Sequence, residues 1–348
     1  MLNNLRLLNF RSYRDEVFEF DNSINIIVGP NAIGKTNLIE AIIFILKGSS
    51  FRVKDSDLIN YGQKFLRVEA NINNEQRIGL ISKTAEKSNK TFKINDKTIK
   101  RLSKNHIYPS VLFEPNHLNL FILNKEYRRK YLDELVASIN PEHSKLTTSY
   151  QRVLLQRNNL LKKNKIKELF PWNIRLSQLS GQIIKNRITL INTINPEVES
   201  IYQRISDSNT KIYLKYIGSL DYQDHETKFL KYLEEEALSD QLKGFTQKGA
   251  HRDDFSVEIN QKNSNQNASR GELRSIVMSL KISEKNILEE RFNQKIIFIL
   301  DDVFSELDGQ RRKYLLNELK NNQTFITTTD ADMVINHLNN RYKIIALI

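Results

Sequence analysis

The sequence predicts an α/β fold: a mixed β-sheet with helices, interrupted by an inserted, mainly helical segment. Three observations predict it. An apolar run, Ile24–Val28, leads through a glycine-bounded loop into an amphipathic helical pattern. From about Lys125 the periodicity turns helical, and Leu146, Tyr150, Val153, Leu154, Arg157, Leu160 and Leu161 share one stripe. From Phe255 onward strands and helices alternate again around the fully apolar run Ile296–Leu300.

The elements follow in order. Leu2–Phe10 and Val17–Phe20 read as strands ahead of Ile24–Val28. A helix over 35–47 places Leu38, Ile39, Ile42, Ile43 and Leu46 on one side. Phe65–Ile72, Arg77–Ser82, Thr91–Ile94 and Thr98–Lys100 alternate, and Asn73-Asn74 and Asn95-Asp96 mark turns between them. An antiparallel sheet beside the first strand–loop–helix unit is expected. In the middle, one helix carries the stripe at 146–161 and a second covers Trp172–Ile191. A third starts at Asn195-Pro196, with Asn as N-cap and Pro at N1. Lys211–Ile217 reads as a strand and Phe229–Leu242 as a helix. The last third gives strands at Phe255–Ile259, Ile296–Leu300, Phe325–Thr328 and Ile344–Ile348, and helices at Glu272–Glu290 and Asp308–Leu319. Asn260–Asn267 is a polar turn.

The loop at the head of the first helix reads GPNAIGKT: Gly29, Pro30, Asn31, Ala32, Ile33, Gly34, Lys35, Thr36. Glycines at its two ends permit backbone that a Cβ would forbid. Its N–H groups, backed by a helix N-terminus, converge on phosphate oxygens. Lys35 adds positive charge for the β- and γ-phosphates, and Thr36 offers a hydroxyl to Mg²⁺. A pattern of this kind arises by chance in only ~1% of chains of this length. It implies nucleotide binding and leaves the reaction open.

Composition narrows the class. The chain has 348 residues, 39% hydrophobic and 27% charged, as in a folded soluble protein. It has no cysteine, so no disulfide and no thiolate metal site. The start, MLNNLRLLNFRSY, lacks the continuous apolar core of a signal peptide. No apolar run approaches the ~20 residues needed to span a bilayer. The net charge of +12 is uneven: residues 76–105 hold nine Lys/Arg against two Asp/Glu, and residues 121–170 eleven against five. Two readings fit, a solvated lysine-rich face and a surface for a polyanion; the clustering favours the second.

The segment IIFILDDVFSELD, 296–308, ends an apolar strand in Asp301 and Asp302. At the carboxyl end of a parallel strand, a first acid can hold Mg²⁺ and a second can orient or deprotonate water. The plainer reading is a strand end and a turn; with the phosphate loop in the same chain the functional one is preferred. The segment NASRGELRS, 267–275, opens a helix with Ser269 and Gly271. Ser269 as N-cap with Glu272 at N3 forms a capping box, and the same N-terminus is a second anion site. Both can hold at once, with a second copy of the chain bringing Ser269 to the nucleotide of the first.

The order of these segments resembles the ATP-binding-cassette class of ATPases, in the branch of DNA-repair heads that includes the SMC proteins. More closely it resembles the RecF family of bacterial recombination-repair proteins. The carrying residues span the chain: LRLLNFRSY at 5–13, GPNAIGKTNLIEAI at 29–42, VLFEPNHLNL at 111–120 and RRKYLDELV at 128–136. They continue with GAHRDDF at 249–255, SRGE at 269–272, ILDDVFSELD at 299–308 and TTTD at 327–330.

The resemblance implies an ABC-type P-loop ATPase head in two halves, 1–120 and 246–348, with a mainly helical subdomain, 121–245, inserted between them. It implies ATP and Mg²⁺ as ligands. Lys35 and Thr36 become the Walker A pair, Asp301 the Walker B acid that shares Mg²⁺ with Thr36, and Asp302 the catalytic carboxylate. Ser269 and Gly271 belong to a signature segment that acts on ATP held by a partner copy. Asp308 ends a D-loop, Ser305–Asp308, at that interface, and Arg11 reaches toward the nucleotide. The family implies a weak, DNA-stimulated ATPase that homodimerises on ATP and clamps DNA, double-stranded or gapped, with single strands also open. It implies work with RecR and RecO, loading of the recombinase RecA at gaps, replication restart and SOS induction, in the cytoplasm and without a membrane. A transporter-type ATPase subunit and a non-hydrolysing ATP-binding repair scaffold stand as alternatives. The sequence departs from the family at Glu272, where glutamine is usual, and at FEPNHL, 113–118. His251 is expected to be structural.

Overall fold

The computed structural model describes residues 1–84, 88–263, 268–338 and 341–348. Asn267 and the end of the polar turn at 264–267 lie outside the described residues. Tertiary contacts divide the chain into two compact units, 1–117 with 284–348, and 118–283. The sequence places the boundaries at 120/121 and 245/246, the second of them 38 residues earlier. Strand pairing and ion pairs bind residues 246–263 to the middle segment, and the initial part of the following helix is grouped with them.

The first unit holds two sheets. The strands β1 (Leu2–Phe10), β2 (Tyr13–Glu19), β4 (Phe65–Ile72), β5 (Glu75–Lys83), β6 (Ser88–Ile94) and β7 (Lys97–Ile99) form an antiparallel sheet in the order β2-β1-β4-β5-β6-β7. Asn73 and Asn95 take positive φ in its turns, 53° and 50°, where asparagine tolerates the left-handed region. The second sheet is parallel: β14 (Tyr342–Ala346), β3 (Ile24–Val28), β13 (Thr324–Thr328), β12 (Ile297–Asp301) and β8 (Ser110–Phe113), in that order. β12 and β13 are buried along their whole length, as strands covered on both faces must be. The short edge strand β8 carries no alternation and is not legible in the sequence.

Helix α1 (Lys35–Lys47) packs between these sheets, against β1, β4 and β5 on one side and β12 and β13 on the other. Leu38 through Leu46 are all buried, more than an amphipathic stripe requires. Its aliphatic side chains join Leu5, Phe10, Phe92, Ile299 and Phe325 in one core. At ~1.5–3 kcal/mol for each fully buried large side chain, this helix is the main tie between the sheets. Helices α9 (Gly309–Leu319) and α10 (Asp332–Ile335) belong to this unit, and the short helix α2 (Pro115–Leu118) lies at its boundary.

The second unit is mainly helical, with α3 (Lys125–Ile139), α4 (Glu142–Lys162), α5 (Phe170–Ser206), α6 (His225–Glu235) and α7 (Ala237–Lys243). A small antiparallel sheet joins them, in the order β11 (Lys262–Asn263), β10 (Asp254–Ile259), β9 (Ile212–Ile217). Helix α8 (Arg270–Phe292) begins in this unit.

Two helix expectations are corrected here. Helix α5 runs unbroken for 37 residues with Pro196 inside it, where two helices were expected. Asn195 does not cap a helix; its side chain brackets Leu214, accepting from the Leu214 N–H at 2.7 Å and donating to its carbonyl at 3.0 Å. The apolar stripe continues through Val198, Ile201, Tyr202 and Ile205, so burial outweighs the one hydrogen bond that proline removes. Conversely, the expected helix 229–242 is two helices, α6 and α7, meeting at Glu236.

Buried ion pairs organise this unit. Arg157, fully buried, donates to Asp240 and Thr246 at 2.7 Å, to Asn173 at 2.8 Å and to the Leu233 carbonyl at 3.2 Å. Arg128 grips Asp254 through two bonds of 2.8 Å, and Arg187 grips Asp133 in the same way. Asp253 accepts from the Tyr216 hydroxyl at 2.6 Å and from the Ser219 N–H at 2.7 Å. Asp253 and Asp254 of the GAHRDDF run therefore serve as buried hydrogen-bond and ion-pair partners. Removing one member of such a pair costs ~3–5 kcal/mol, because a buried charge is left unmatched. Arg128 and Arg157 also leave the count of basic residues that face solvent.

Candidate nucleotide-binding site

Strand β3 delivers the loop 29–34 to the carboxyl edge of the parallel sheet, and α1 starts directly behind it. Gly34, the N-cap, has φ +117°, and a Cβ there would sit 2.9 Å from the Ser12 hydroxyl. The positive φ strains any L side chain, and Ser12 would have to move to admit one. Gly29 is needed for a different reason: its φ is ordinary, but a Cβ would lie 2.8 Å from the Leu347 carbonyl oxygen of the segment after β14. Ala32 sits in the left-handed region at φ 65°.

Lys35 is buried and folds back over the loop, its Nζ donating to the Gly29 carbonyl at 2.6 Å and the Pro30 carbonyl at 2.8 Å. These bonds hold the ammonium beside the loop N–H groups, where phosphate oxygens would take their place. Asp301, at the end of β12, is 5% exposed. Its Oδ1 accepts from the Thr327 hydroxyl of β13 at 2.8 Å and from the Thr36 hydroxyl of α1 at 3.2 Å. Burial pushes the Asp301 carboxyl above its ordinary range; the two threonine hydroxyls and the Arg52 guanidinium work against that shift. Asp302 follows with φ 55° and is exposed, its N–H held by the Thr327 oxygen at 2.8 Å. Thr327 thus aims both acids.

These groups line one cavity of about 300 Å³: Asn31, Ala32, Gly34, Lys35, Thr36 and Asn37 on the loop side, with Arg52, Asp301, Asp302 and Thr327 opposite. The size is that of a small-ligand site. Among the described residues no three His, Asp or Glu side chains gather to hold a cation by themselves. One buried carboxylate and one hydroxyl fit Mg²⁺, which takes few protein ligands and completes its shell with phosphate oxygens and water.

Arg11 is not in this cavity. Its guanidinium forks onto Glu40, Nε to Oε2 at 2.8 Å and Nη2 to Oε1 at 3.3 Å, and Arg11 lines a neighbouring cavity with Ser12 and Asn37. A second cation lining the cavity is the exposed Arg52, which sequence reasoning did not single out; its signal is a basic residue four positions after Gly48, the glycine that ends α1. Ser269 and Gly271 lie at the N-terminus of α8 in the other unit. Ser269 caps it as the reciprocal box: Glu272 N–H donates to Ser269 Oγ at 3.2 Å, and the Ser269 N–H and hydroxyl both donate to Glu272 Oε2 at 2.8 Å. Asp308 caps α9, accepting from the Arg311 N–H at 2.9 Å. His251 is held between Tyr150 and the Thr246 carbonyl, as a structural residue.

The family model described as RecF/RecN/SMC N terminal domain matches residues 1–346. The chain is 32% identical over 351 residues to the DNA replication and repair protein RecF of Clostridium novyi (strain NT), covering 99% of this chain and 97% of that one. It is 36% identical over 342 residues to the DNA replication and repair protein RecF of Thermoanaerobacter sp. (strain X514), covering 93% of each. Its structure is similar to that of the recombination mediator protein RecF-ATPrS in the RecFOR pathway, with TM-score 0.86, 30% identity and coverage of 99% and 96%. An SMC head bound to the C-winged helix domain of ScpA matches with TM-score 0.56 and 17% identity over 99% of this chain and 93% of that one, a likeness of fold alone. Among the described residues no helix is long and apolar enough to cross a membrane.

Proposed function

The chain belongs to the RecF family, an SMC-like branch of the ABC-type ATPases whose members are DNA replication and repair proteins, and on that premise we propose that it is an ATP-gated DNA clamp. The observation that supports this reading is the single cavity in which Lys35, Thr36, Asp301 and Asp302 meet, 265 residues apart in sequence for Thr36 and Asp301.

In this reading Lys35 exchanges its two carbonyl partners for β- and γ-phosphate oxygens, and the loop N–H groups from Gly29 to Thr36 cradle the triphosphate. Thr36 and Asp301 would hold Mg²⁺, which supplies charge neutralisation on the phosphates. Asp302 orients the attacking water and accepts its proton. Ser269 and Gly271, at an exposed helix N-terminus, serve the ATP of a second copy, and Asp308 lies in the D-loop of that contact. The γ-phosphate then shifts a monomer–dimer equilibrium, because the dimer alone uses its binding energy fully. Arg11, held by Glu40 in the neighbouring cavity, is the residue that reaches toward the nucleotide from that side.

The dimer closes on DNA, duplex or gapped, and slow, DNA-stimulated hydrolysis reopens it. Basic residues that face solvent, such as Lys97, Lys100 and Arg101 of the first unit and Lys162, Lys163 and Lys167 of the second, are the candidates for phosphate contact. We place the protein in the cytoplasm with RecR and RecO as partners, assisting recombinase loading at gaps, replication restart and SOS induction.

Sedimentation and DNA binding with ATP, ADP and no nucleotide test the clamp. ATP is expected to give a DNA-holding dimer in the wild type, and Lys35→Ala and Ser269→Arg to lose it. A dimer that survives Ser269→Arg, or DNA binding indifferent to nucleotide, overturns the clamp.

A further inference from the structure

Glu40 lies in the second turn of α1 and is 1% exposed. A carboxylate so buried needs partners for its charge. It has the Arg11 fork described above, and its Oε1 also accepts from the Ser50 hydroxyl. Ser50 Oγ in turn accepts from the backbone N–H of Arg52 at 3.0 Å and of Val53 at 3.1 Å. One carboxylate therefore joins three segments: the turn after β1, the helix that carries Lys35 and Thr36, and the loop that delivers Arg52 to the nucleotide cavity. The loop leaves α1 at Gly48, with φ +85°, and Phe51 and Val53 pack on the core. The two N–H bonds to Ser50 set the direction in which Arg52 emerges between those anchors.

We infer that Glu40 is a positioning residue for the nucleotide reaction: through Ser50 it holds Arg52 in the cavity with Lys35, Asp301 and Asp302. This rests on the reading of that cavity as the ATP site. Arg52 then supplies a second positive charge on the phosphate side, independent of Lys35. Neutralising Arg11 would not need Ser50, whose oxygen spends its remaining bonds on the Arg52 and Val53 amides. A merely structural Glu40 would change stability and leave the action of Arg52 untouched.

A double-mutant cycle separates these. Affinity for a fluorescent ATP analogue, kcat and KM for ATP, and Tm are measured for wild type, Ser50→Ala, Glu40→Gln, Arg52→Ala and the combinations. Arg52→Ala is expected to weaken nucleotide binding about tenfold, the worth of one charge-assisted hydrogen bond. Ser50→Ala, which keeps the Arg11–Glu40 pair, is expected to weaken it about fivefold while Tm stays near wild type. Ser50→Ala and Glu40→Gln add nothing further on the Arg52→Ala background. Additive losses with Arg52→Ala, or Ser50→Ala binding ATP like wild type, overturn the inference whether or not Glu40→Gln folds. Failure of the wild type to bind the analogue would instead remove the ATP reading itself.

Discussion

Thr36 Oγ1 lies 3.2 Å from Asp301 Oδ1, an oxygen that Thr327 also holds at 2.8 Å. On the proposed reading, a bound Mg²⁺ would take this hydroxyl and this carboxylate as its protein ligands. Asp301→Asn is expected to bind ATP yet lose Mg²⁺-dependent turnover by about a hundredfold or more, since several kcal/mol of charge stabilisation go with the metal. Phosphate release at varied Mg²⁺ measures it.

The same residue makes a stability prediction of opposite sign. Burial raises the Asp301 carboxyl above 3.8, so the folded protein holds that proton more tightly than the unfolded chain. Its contribution is fully present below pH 3.8 and is lost as pH rises through the raised value. At neutral pH the ionised carboxylate costs stability, so Asp301→Asn should melt above wild type at pH 7. An equal or lower melting temperature there would count against the assignment.

Thr327 couples the two acids, donating to Asp301 and accepting from the Asp302 N–H. Thr327→Val keeps the shape and removes both bonds. Turnover is expected to fall about tenfold with ATP affinity nearly unchanged, because about 1–2 kcal/mol of orientation is lost where charge develops. Comparing kcat with an equilibrium Kd for ATP decides it; a loss confined to Kd would contradict this role.

Glu272 captures the Ser269 hydroxyl as a donor and adds negative charge beside it. Glutamine at this position keeps the cap and removes the charge. Glu272→Gln is therefore expected to tighten the ATP-dependent dimer severalfold, with ~0.5 kcal/mol or less lost from the cap. Analytical ultracentrifugation across protein concentration reads the dimer constant, and a weaker dimer would refute the repulsion argument.

His251 is an acid-sensitive point of the helical unit. The Thr246 carbonyl can only accept, so Nε2 carries the proton and Nδ1 accepts from Tyr150 at 2.7 Å. Burial pushes the imidazole down from 6.5 to about 4. The unfolded chain binds the proton first, so stability is intact above pH 6.5 and falls as pH drops toward 4, by up to roughly 3 kcal/mol. Urea unfolding of wild type and His251→Asn should differ at pH 7 and converge near pH 4. A constant difference across that range would refute it.

Most of the parallel core could be read from the chain. β3 and α1 have the bounds the sequence implies, and β12 and β13 differ by a residue at most, because a strand buried on both faces writes its length as an apolar run. The loop and the Asp301-Asp302 pair that the sequence singles out line one cavity, because both end parallel strands at the same edge of the sheet. The capping box of Ser269 and Glu272 follows from two residues three apart, a bond that local geometry alone closes.

Tertiary structure decided the rest, wherever a residue's meaning depends on a distant neighbour. Pro196 stays inside one helix because the apolar stripe beyond it is buried, an energy that local propensity does not contain. Arg128 and Arg157 count as basic residues in the sequence but are buried partners of Asp254 and Asp240. Arg11 pairs with Glu40 across 29 positions of sequence, and Glu40 in turn meets Ser50 of the loop that bears Arg52, links that spacing does not predict. Spacing along the chain determines which bonds a segment makes with itself; long-range charge pairing, invisible to spacing, is settled by what burial brings together.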